Sequence, residues 1–162
     1  MGRISECGFR LNTTDTLMKK LIVTLLAGFT VLLAQAAESD WMTDLPKALT
    51  KAKAENKQVL LDFTGSDWCP PCKALHKNVL SNQTFLDYAK SNLVLVVVDF
   101  PRSKEQSAEL KTANRALSKK YSIEGYPTVI VLDSTGKQLK KDVGYSGQSA
   151  SAFVTDLKKL KK

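Results

Sequence analysis

Two cysteines, Cys69 and Cys72, lie three positions apart in the segment 67–73, which reads DWCPPCK. A short apolar run and a Gly-Ser-Asp turn precede them, which predicts that the first cysteine lies where a strand gives way to a helix. Unpaired N–H groups and the helix dipole favour a thiolate there, and the second thiol can attack a mixed disulfide formed by the first. Because so close a pair encloses almost no loop, it stabilises a fold little by chain entropy. The spacing therefore favours a reactive dithiol over a structural disulfide.

A metal site is the alternative interpretation of the same segment. His76 follows Cys72 by four positions, so these two could share a helix face and, together with Cys69, bind copper or zinc. A structural zinc site usually has four ligands, however, and the only other cysteine is Cys7, within the predicted leader. We therefore expect no resident metal and no other cofactor.

The first 36 residues have the organisation of an export signal. Lysines precede an apolar run at 21–33, and Ala34-Gln-Ala36 supplies the small-x-small pattern that signal peptidases cleave. The run has 13 residues, fewer than the ~20 that span a bilayer, which argues against a membrane anchor. We expect residues 1–36 to be a leader and signal peptide that is cleaved after Ala36, and the mature protein to be periplasmic or secreted.

One domain is expected over residues 37–162. Residues 1–17 contain two acids and no sustained periodicity, so we expect translation to start at Met18, with a long leader as the alternative.

The chain is basic, with 24 Lys and Arg against 16 Asp and Glu and a formal net charge of +8. Lysines recur in every predicted helix with acids among them, and no arginine-rich run with interleaved aromatic residues is present. This pattern predicts a solvated surface and no nucleic-acid partner.

The elements that must position the cysteines follow from the hydrophobic periodicity. Helices are predicted at 41–52, from the cysteine motif to about Leu80, at 83–90, at 103–120 and from Ser149 onward, with Asp44 and Ser149 as N-caps. Strands are predicted at 58–64, 93–98, 128–132 and 137–143. In the helix 103–120, Leu110, Ala113, Leu117 and Tyr121 are expected to face inward. The order predicts an α/β fold with a central four-stranded mixed sheet flanked by helices, since helical crossovers imply a parallel pair and the closing hairpin an antiparallel pair.

The segment VLLDFTGSDWCPPCK, the later GYPT at 125–128 and the element order resemble the thioredoxin superfamily, in particular exported bacterial thioredoxin-like proteins. The resemblance covers the chain from about residue 40 to the C-terminus. It implies a thioredoxin-like fold and a redox disulfide between Cys69, as the nucleophile, and Cys72, as the resolving cysteine. It also implies that Trp68 shields the site and presents an apolar face to the substrate. Pro127 matches the family's cis-proline beside the sulfurs, where the backbone of Tyr126 would pair with an extended substrate segment.

Asp62 resembles the buried acid that accepts a proton from the resolving thiol in thioredoxins. A carboxyl group in so apolar a strand should have a raised pKa, which suits general-base catalysis. The chain departs from the family twice: one more residue separates Asp62 from Cys69, and the strand 93–98 has no lysine to pair with the acid. The alternative is a partly solvated acid at the end of a strand.

The function implied is a monomeric thiol–disulfide oxidoreductase that acts on protein disulfides in the cell envelope, as a reductase or isomerase rather than an oxidase. A membrane-embedded redox partner would then supply electrons, since the domain has no other source. Two alternatives remain: a metal-binding protein that uses Cys69, Cys72 and His76, and a noncatalytic thioredoxin-like binding module.

Overall fold

The computed structural model describes residues 41–161; the predicted signal peptide, its cleavage site and the Met18 start lie outside this range. In chain order the elements are β1 (Trp41–Met42), α1 (Leu45–Glu55), β2 (Gln58–Thr64), α2 (Pro70–Leu75), a π-helical turn (His76–Leu80), α3 (Gln83–Asn92), β3 (Leu93–Asp99), α4 (Ala108–Lys120), β4 (Thr128–Leu132), β5 (Gln138–Val143) and α5 (Ala150–Lys159). None of the helices in this range is long and apolar enough to cross a membrane.

The strands form one mixed sheet in the order β1-β3-β2-β4-β5, in which β1, β3 and β2 are parallel and β4 and β5 are antiparallel to their neighbours. The predicted mixed α/β architecture is confirmed, but the predicted strand count of four was wrong. A fifth strand forms where Trp41 and Met42 pair with β3. Two residues are too few to show a strand period, and this pairing depends on the exposed edge of β3, so local sequence gave no sign of it.

The first helix accordingly begins later than predicted, at Leu45. Asp44 is its N-cap, as expected, and accepts a hydrogen bond from the N–H of Lys47 at 3.0 Å. Because the cap fixes the start of the helix, Trp41 lies outside it and packs against the core from β1.

Two apolar layers cover the sheet. β2 is buried along its whole length, and its side chains alternate between the layers. Leu60 belongs to the layer with α2, α3 and α5, whereas Leu61 and Phe63 belong to the layer with α1 and α4. By this alternation Asp62 faces the same side as Leu60, which is the side that carries the cysteine helix.

The long helix α4 differs from its prediction in two respects. It starts at Ala108, after a Ser107 cap, because the preceding residues form a loop. Its buried face contains Asn114, which is 1% exposed, and not Ala113, which is exposed. The side-chain amide of Asn114 donates to the carbonyl oxygen of Asp99 at 2.9 Å, which offsets part of the cost of burying this side chain; its Oδ1 has no hydrogen-bond partner within the described residues.

Candidate active site

Cys69 and Cys72 form a disulfide at the N-terminus of α2, with 5.3 Å between their Cα atoms. Cys69 is the N-cap residue, and Pro70 and Pro71 occupy the first two helical positions. Since prolines have no N–H group, the amide of Cys72 is the first donor of this helix. It points at Sγ of Cys69, at 3.3 Å. This geometry stabilises negative charge on Cys69 when the disulfide is opened.

A tight turn at Gly65 brings the motif to the end of β2. The carbonyl oxygen of Gly65 accepts hydrogen bonds from the N–H groups of Trp68, at 3.2 Å, and Cys69, at 2.9 Å. A Cβ atom at position 65 would overlap the indole ring of Trp68. Glycine is therefore needed for Trp68 to pack over the turn.

Trp68 is half-buried beside the disulfide and is fixed on two sides. Its Nε1–H donates to the carbonyl oxygen of Phe100 at 2.8 Å, and its ring meets that of Tyr126 edge-on, with 5.9 Å between centroids. Tyr126 also packs against the ring of Phe100, at 5.4 Å. The structure thus brings together Trp68 and Tyr126, which the sequence placed in one site.

The Tyr126–Pro127 peptide bond is cis, as the resemblance implied. Pro127 is buried directly before β4, and its carbonyl oxygen accepts a hydrogen bond from the N–H of Gly144 at 2.7 Å. The loop is braced further by the hydroxyl group of Thr128, which donates to the carbonyl oxygen of Gly125 at 2.8 Å. These bonds fix residues 125–128, the proline loop, which contributes Tyr126 to the aromatic group formed by Trp68, Phe100 and Tyr126.

Asp62 is 5% exposed, so it is a buried acid and not the partly solvated one that the sequence left open. Its Oδ1 has no hydrogen-bond partner within the described residues. Burial, and to a lesser extent the negative charge of Asp99, raise the pKa of Asp62 from 3.8 to about 7. Near neutral pH this carboxyl group can either bind or release a proton.

A pocket of about 420 Å³ joins Asp62 to Cys72. Its lining residues are Trp41, Asp62, Thr64, Ser66, Cys72, Lys73, His76, Val97 and Lys104. The buried carboxyl group and Cys72 therefore face one solvent-accessible space, which can carry a proton from the site to the exterior.

Sequence reasoning missed one acid that organises the surroundings, Asp99, and did not predict the contacts of a second, Asp67. Asp99, at the end of β3, accepts hydrogen bonds from the backbone N–H and the hydroxyl group of Ser66. Asp67 accepts from the N–H groups of Arg102 and Ser103, and these bonds lower the pKa of its carboxyl group. Asp99 follows a run of valines, so an acid at the carboxyl end of a buried strand was the available signal for it. The position of Asp67 beside the motif is visible in the sequence, but no local signal indicated that its carboxylate binds the backbone of Arg102 and Ser103.

His76, which belonged to the alternative metal site, is exposed and its Nδ1 lies 3.0 Å from the hydroxyl oxygen of Ser81. It lines the pocket together with Cys72, while both cysteine sulfurs are joined to each other. Across residues 41–161, no three His, Cys, Asp or Glu side chains form a group that could hold a metal ion. The geometry offers a dithiol with an adjacent acid.

Comparison with known proteins gives a consistent result. A family model described as a thioredoxin-like domain matches residues 45–161. The chain is 33% identical over 123 residues to the disulfide bond reductase DsbH of Chlamydia pneumoniae, covering 76% of this chain and 73% of that protein. It is 29% identical over 138 residues to the thioredoxin-related protein DsbJ of the same organism, covering 82% of this chain but only 40% of DsbJ. A solved structure of a DsbH oxidoreductase superimposes with a TM-score of 0.70 at 32% identity, over 77% of this chain and 85% of that one.

Proposed function

The chain belongs to the thioredoxin-like domain family, and from that membership and the geometry of the dithiol we propose that it reduces disulfide bonds in proteins of the cell envelope. It is a thiol–disulfide oxidoreductase. The observation that carries the proposal is the Cys69–Cys72 disulfide at a helix N-terminus, with a buried acid facing the same pocket as Cys72. The relative DsbH is named a disulfide bond reductase, which supports reduction, and not oxidation, as the direction of the reaction.

The reaction begins with both cysteines reduced. The Cys69 thiolate attacks one sulfur of a client disulfide, the client S–S bond breaks, and the departing client thiolate takes a proton from solvent. The product is a mixed disulfide between Cys69 and the client. The Cys72 amide, 3.3 Å from Cys69 Sγ in the oxidised structure, favours the attacking thiolate.

The second step releases the client. The Cys72 thiol gives its proton to the carboxylate of Asp62 through the shared pocket, and the resulting thiolate attacks the sulfur of Cys69. The mixed disulfide breaks, the second client sulfur leaves as a thiolate, and the Cys69–Cys72 disulfide forms. Two electrons have then passed from the protein to the client.

The client binds across the aromatic group next to the disulfide. Trp68 contributes its half-buried ring, one face of which lies under Arg102, and the backbone of Tyr126, next to Pro127, pairs with an extended client segment. Any extended segment around a disulfide can form such backbone bonds, so this part of the site is general and not selective for sequence.

We place this activity in the periplasm, after cleavage of the signal, in a monomeric protein. A membrane-embedded dithiol partner would return the Cys69–Cys72 disulfide to its reduced state, because each turnover leaves these two cysteines oxidised. Localisation of a tagged full-length protein by cell fractionation tests the compartment, and recovery of the protein in the cytoplasmic fraction would overturn it.

Turnover tests the activity itself. With dithiothreitol as electron source, the native protein should accelerate the reduction of a protein disulfide such as those of insulin, and Cys69→Ser should abolish the acceleration. A Cys69→Ser protein as active as the native one would overturn the proposal.

The redox potential of the Cys69–Cys72 couple tests the direction. It is obtained from thiol alkylation after equilibration in glutathione or dithiothreitol buffers at neutral pH. A reductase is expected near the thioredoxin value of about −270 mV, and a value near the about −120 mV of DsbA would contradict a reducing role.

A further inference from the structure

Arg102 lies directly beside the active site. Its guanidinium carbon is 4.0 Å from the centroid of the Trp68 ring, and Trp68 immediately precedes Cys69. A cation over the face of an indole ring is attracted by the ring's quadrupole, so this placement is favourable in itself. The stack leaves the edges of the planar guanidinium open to solvent, because the Arg102 side chain is exposed.

The backbone that carries Arg102 is fixed in place. The carboxylate of Asp67 accepts from the N–H of Arg102 at 3.1 Å and from that of Ser103 at 2.6 Å. The bond from Trp68 Nε1 to the Phe100 carbonyl oxygen holds the other end of the same loop. The guanidinium is therefore positioned before any client arrives, which lowers the entropic cost of using it for binding.

The guanidinium group of Arg102 forms no ion pair with another described side chain. Every ion pair between side chains of residues 41–161 involves a lysine and none involves Arg102. The carboxylate of Asp67, which lies against the backbone of Arg102, is directed at backbone amides. Five N–H donors with the geometry that matches a carboxylate thus remain available beside Trp68.

Two lysines extend this positive surface along the pocket. Lys73 and Lys104 are both exposed and both line the pocket that contains Cys72. Lys73 Nζ donates to the carbonyl oxygen of Asp67 at 2.7 Å, which keeps its charge next to the motif. Among the described residues that line the pocket, Asp62 is the only acid, and it is buried.

We infer that Arg102, with Lys73 and Lys104, selects client segments that carry carboxylate side chains next to the disulfide. The inference rests on the proposed function and adds a preference to it. The aromatic group and the proline loop bind any extended segment, whereas the three cations favour one class of flanking residue. Arg102 contributes a bidentate contact at a fixed position, and the lysines contribute attraction over a longer range.

Single-turnover kinetics with matched peptides tests this. Three cyclic peptides with one internal disulfide, identical except for Glu, Gln or Lys on both sides of each cysteine, are mixed with pre-reduced protein after the reductant has been removed. Each reaction oxidises the two protein thiols to the Cys69–Cys72 disulfide and reduces one peptide disulfide to two thiols. The readout is the ratio of rate constants for the Glu and Lys peptides, because a change in the reactivity of Cys69 itself affects all three peptides and cancels in this ratio.

The Glu peptide should react about tenfold faster than the Lys peptide at low salt, and the ratio should approach one in 0.5 M salt as the charges are screened. Arg102→Gln should lower the ratio by about threefold, the size expected for one exposed ion pair. Arg102→Glu should lower it further, and Arg102→Lys should retain most of the preference. Lys53→Gln is the matched control, since Lys53 is exposed on α1 near the start of β2, at the opposite end of that strand from the cysteines, and it should leave the ratio unchanged.

A native ratio of one, or an equal loss of preference in Arg102→Gln and Lys53→Gln, would overturn the inference while leaving the proposed function intact. Reduction of none of the peptides, by a protein whose circular dichroism shows it to be folded, would instead overturn the proposed function and the inference with it.

Discussion

The carboxylate of Asp99 accepts two hydrogen bonds from Ser66, one from its backbone N–H at 2.9 Å and one from its hydroxyl group at 2.6 Å. This pair ties the end of β3 to the turn that leads into the cysteine motif. It also fixes a negative charge near Asp62, where the family resemblance had led us to look for a lysine. Burial and the charge of Asp99 therefore both make Asp62, the acid that we propose as the proton acceptor, bind a proton more tightly.

Replacing Asp99 with Asn should lower the pKa of Asp62, because the variant removes a negative charge that opposes ionisation. The decrease should be smaller than the effect of burial, which is the main cause of the raised pKa. The measurement is an NMR titration of the Asp62 carboxyl carbon. Ser66→Ala is the control: it removes one hydrogen bond to Asp99 and keeps the charge, so the pKa of Asp62 should stay high. An unchanged titration in Asp99→Asn would exclude the proposed electrostatic link.

Asp62→Asn should slow the release of the client from the mixed disulfide at neutral pH by about 100-fold, the lower end of what a positioned general base contributes. In the native protein the rate of this step should rise with pH through about 7, where Asp62 ionises. The variant should lose that inflection. Rapid mixing with a fluorescent peptide disulfide separates this step from the initial attack. Asp87→Asn, at an exposed site on α3, is the control, and equal rates in the two variants would contradict a base at position 62.

Asp62→Asn should also stabilise the folded protein at alkaline pH. The pKa of Asp62 is raised on folding, so the native state binds the proton more tightly, and stability is lost as pH rises from about 4 through 7. A pKa raised from 3.8 to about 7 corresponds to a cost on the order of 4 kcal/mol above pH 7. Urea unfolding of the oxidised proteins should show the variant to be more stable at pH 8, with the difference disappearing toward pH 4. A constant difference at all pH values would show that the effect comes from packing.

Cys72→Ser should accumulate covalent complexes between Cys69 and its clients, because the mixed disulfide forms but the resolving thiol is absent. The complexes should appear on non-reducing gels of cell-envelope extracts and disappear with dithiothreitol. A Cys69→Ser/Cys72→Ser double variant should form none. If a folded Cys72→Ser protein captures no reductant-sensitive partner, Cys69 is not the attacking residue.

Gly65→Ala should destabilise the protein by about 1–3 kcal/mol, the usual cost of overpacking, because the new Cβ overlaps the Trp68 ring. Displacement of Trp68 should change its fluorescence emission and slow client reduction. Gly125→Ala is a suitable control, since a Cβ there meets only Val143, at 3.8 Å. Similar losses of stability in the two variants would argue against a specific need for glycine at position 65.

The sequence alone indicated most of the elements, with β1 as the exception, and pointed to the cysteine pair as the centre of the site. The cap at Asp44, the buried strand β2 and the strand–turn–helix around Cys69 are all set within a few residues, so periodicity and turn chemistry indicate them. The cis-proline came from the family resemblance and agrees with the structure. The apolar strand around Asp62 indicated that this residue could be buried. It did not indicate that Asp99 would be the charged residue near it.

Only the tertiary structure decided which side chains meet. Ser66 and Asp99 are 33 positions apart, and Asp67 and Arg102 are 35 apart, so their contacts depend on the parallel register of β2 and β3. The fifth strand at Trp41 depends on the same sheet, through the edge that β3 leaves exposed. Propensity and periodicity describe neighbours along one element, whereas these contacts join elements that are distant in sequence. The cysteine pair could therefore be found in the sequence. That Asp99 lies near Asp62, and Arg102 over Trp68, depends on the pairing of the strands and could be read only from the tertiary structure.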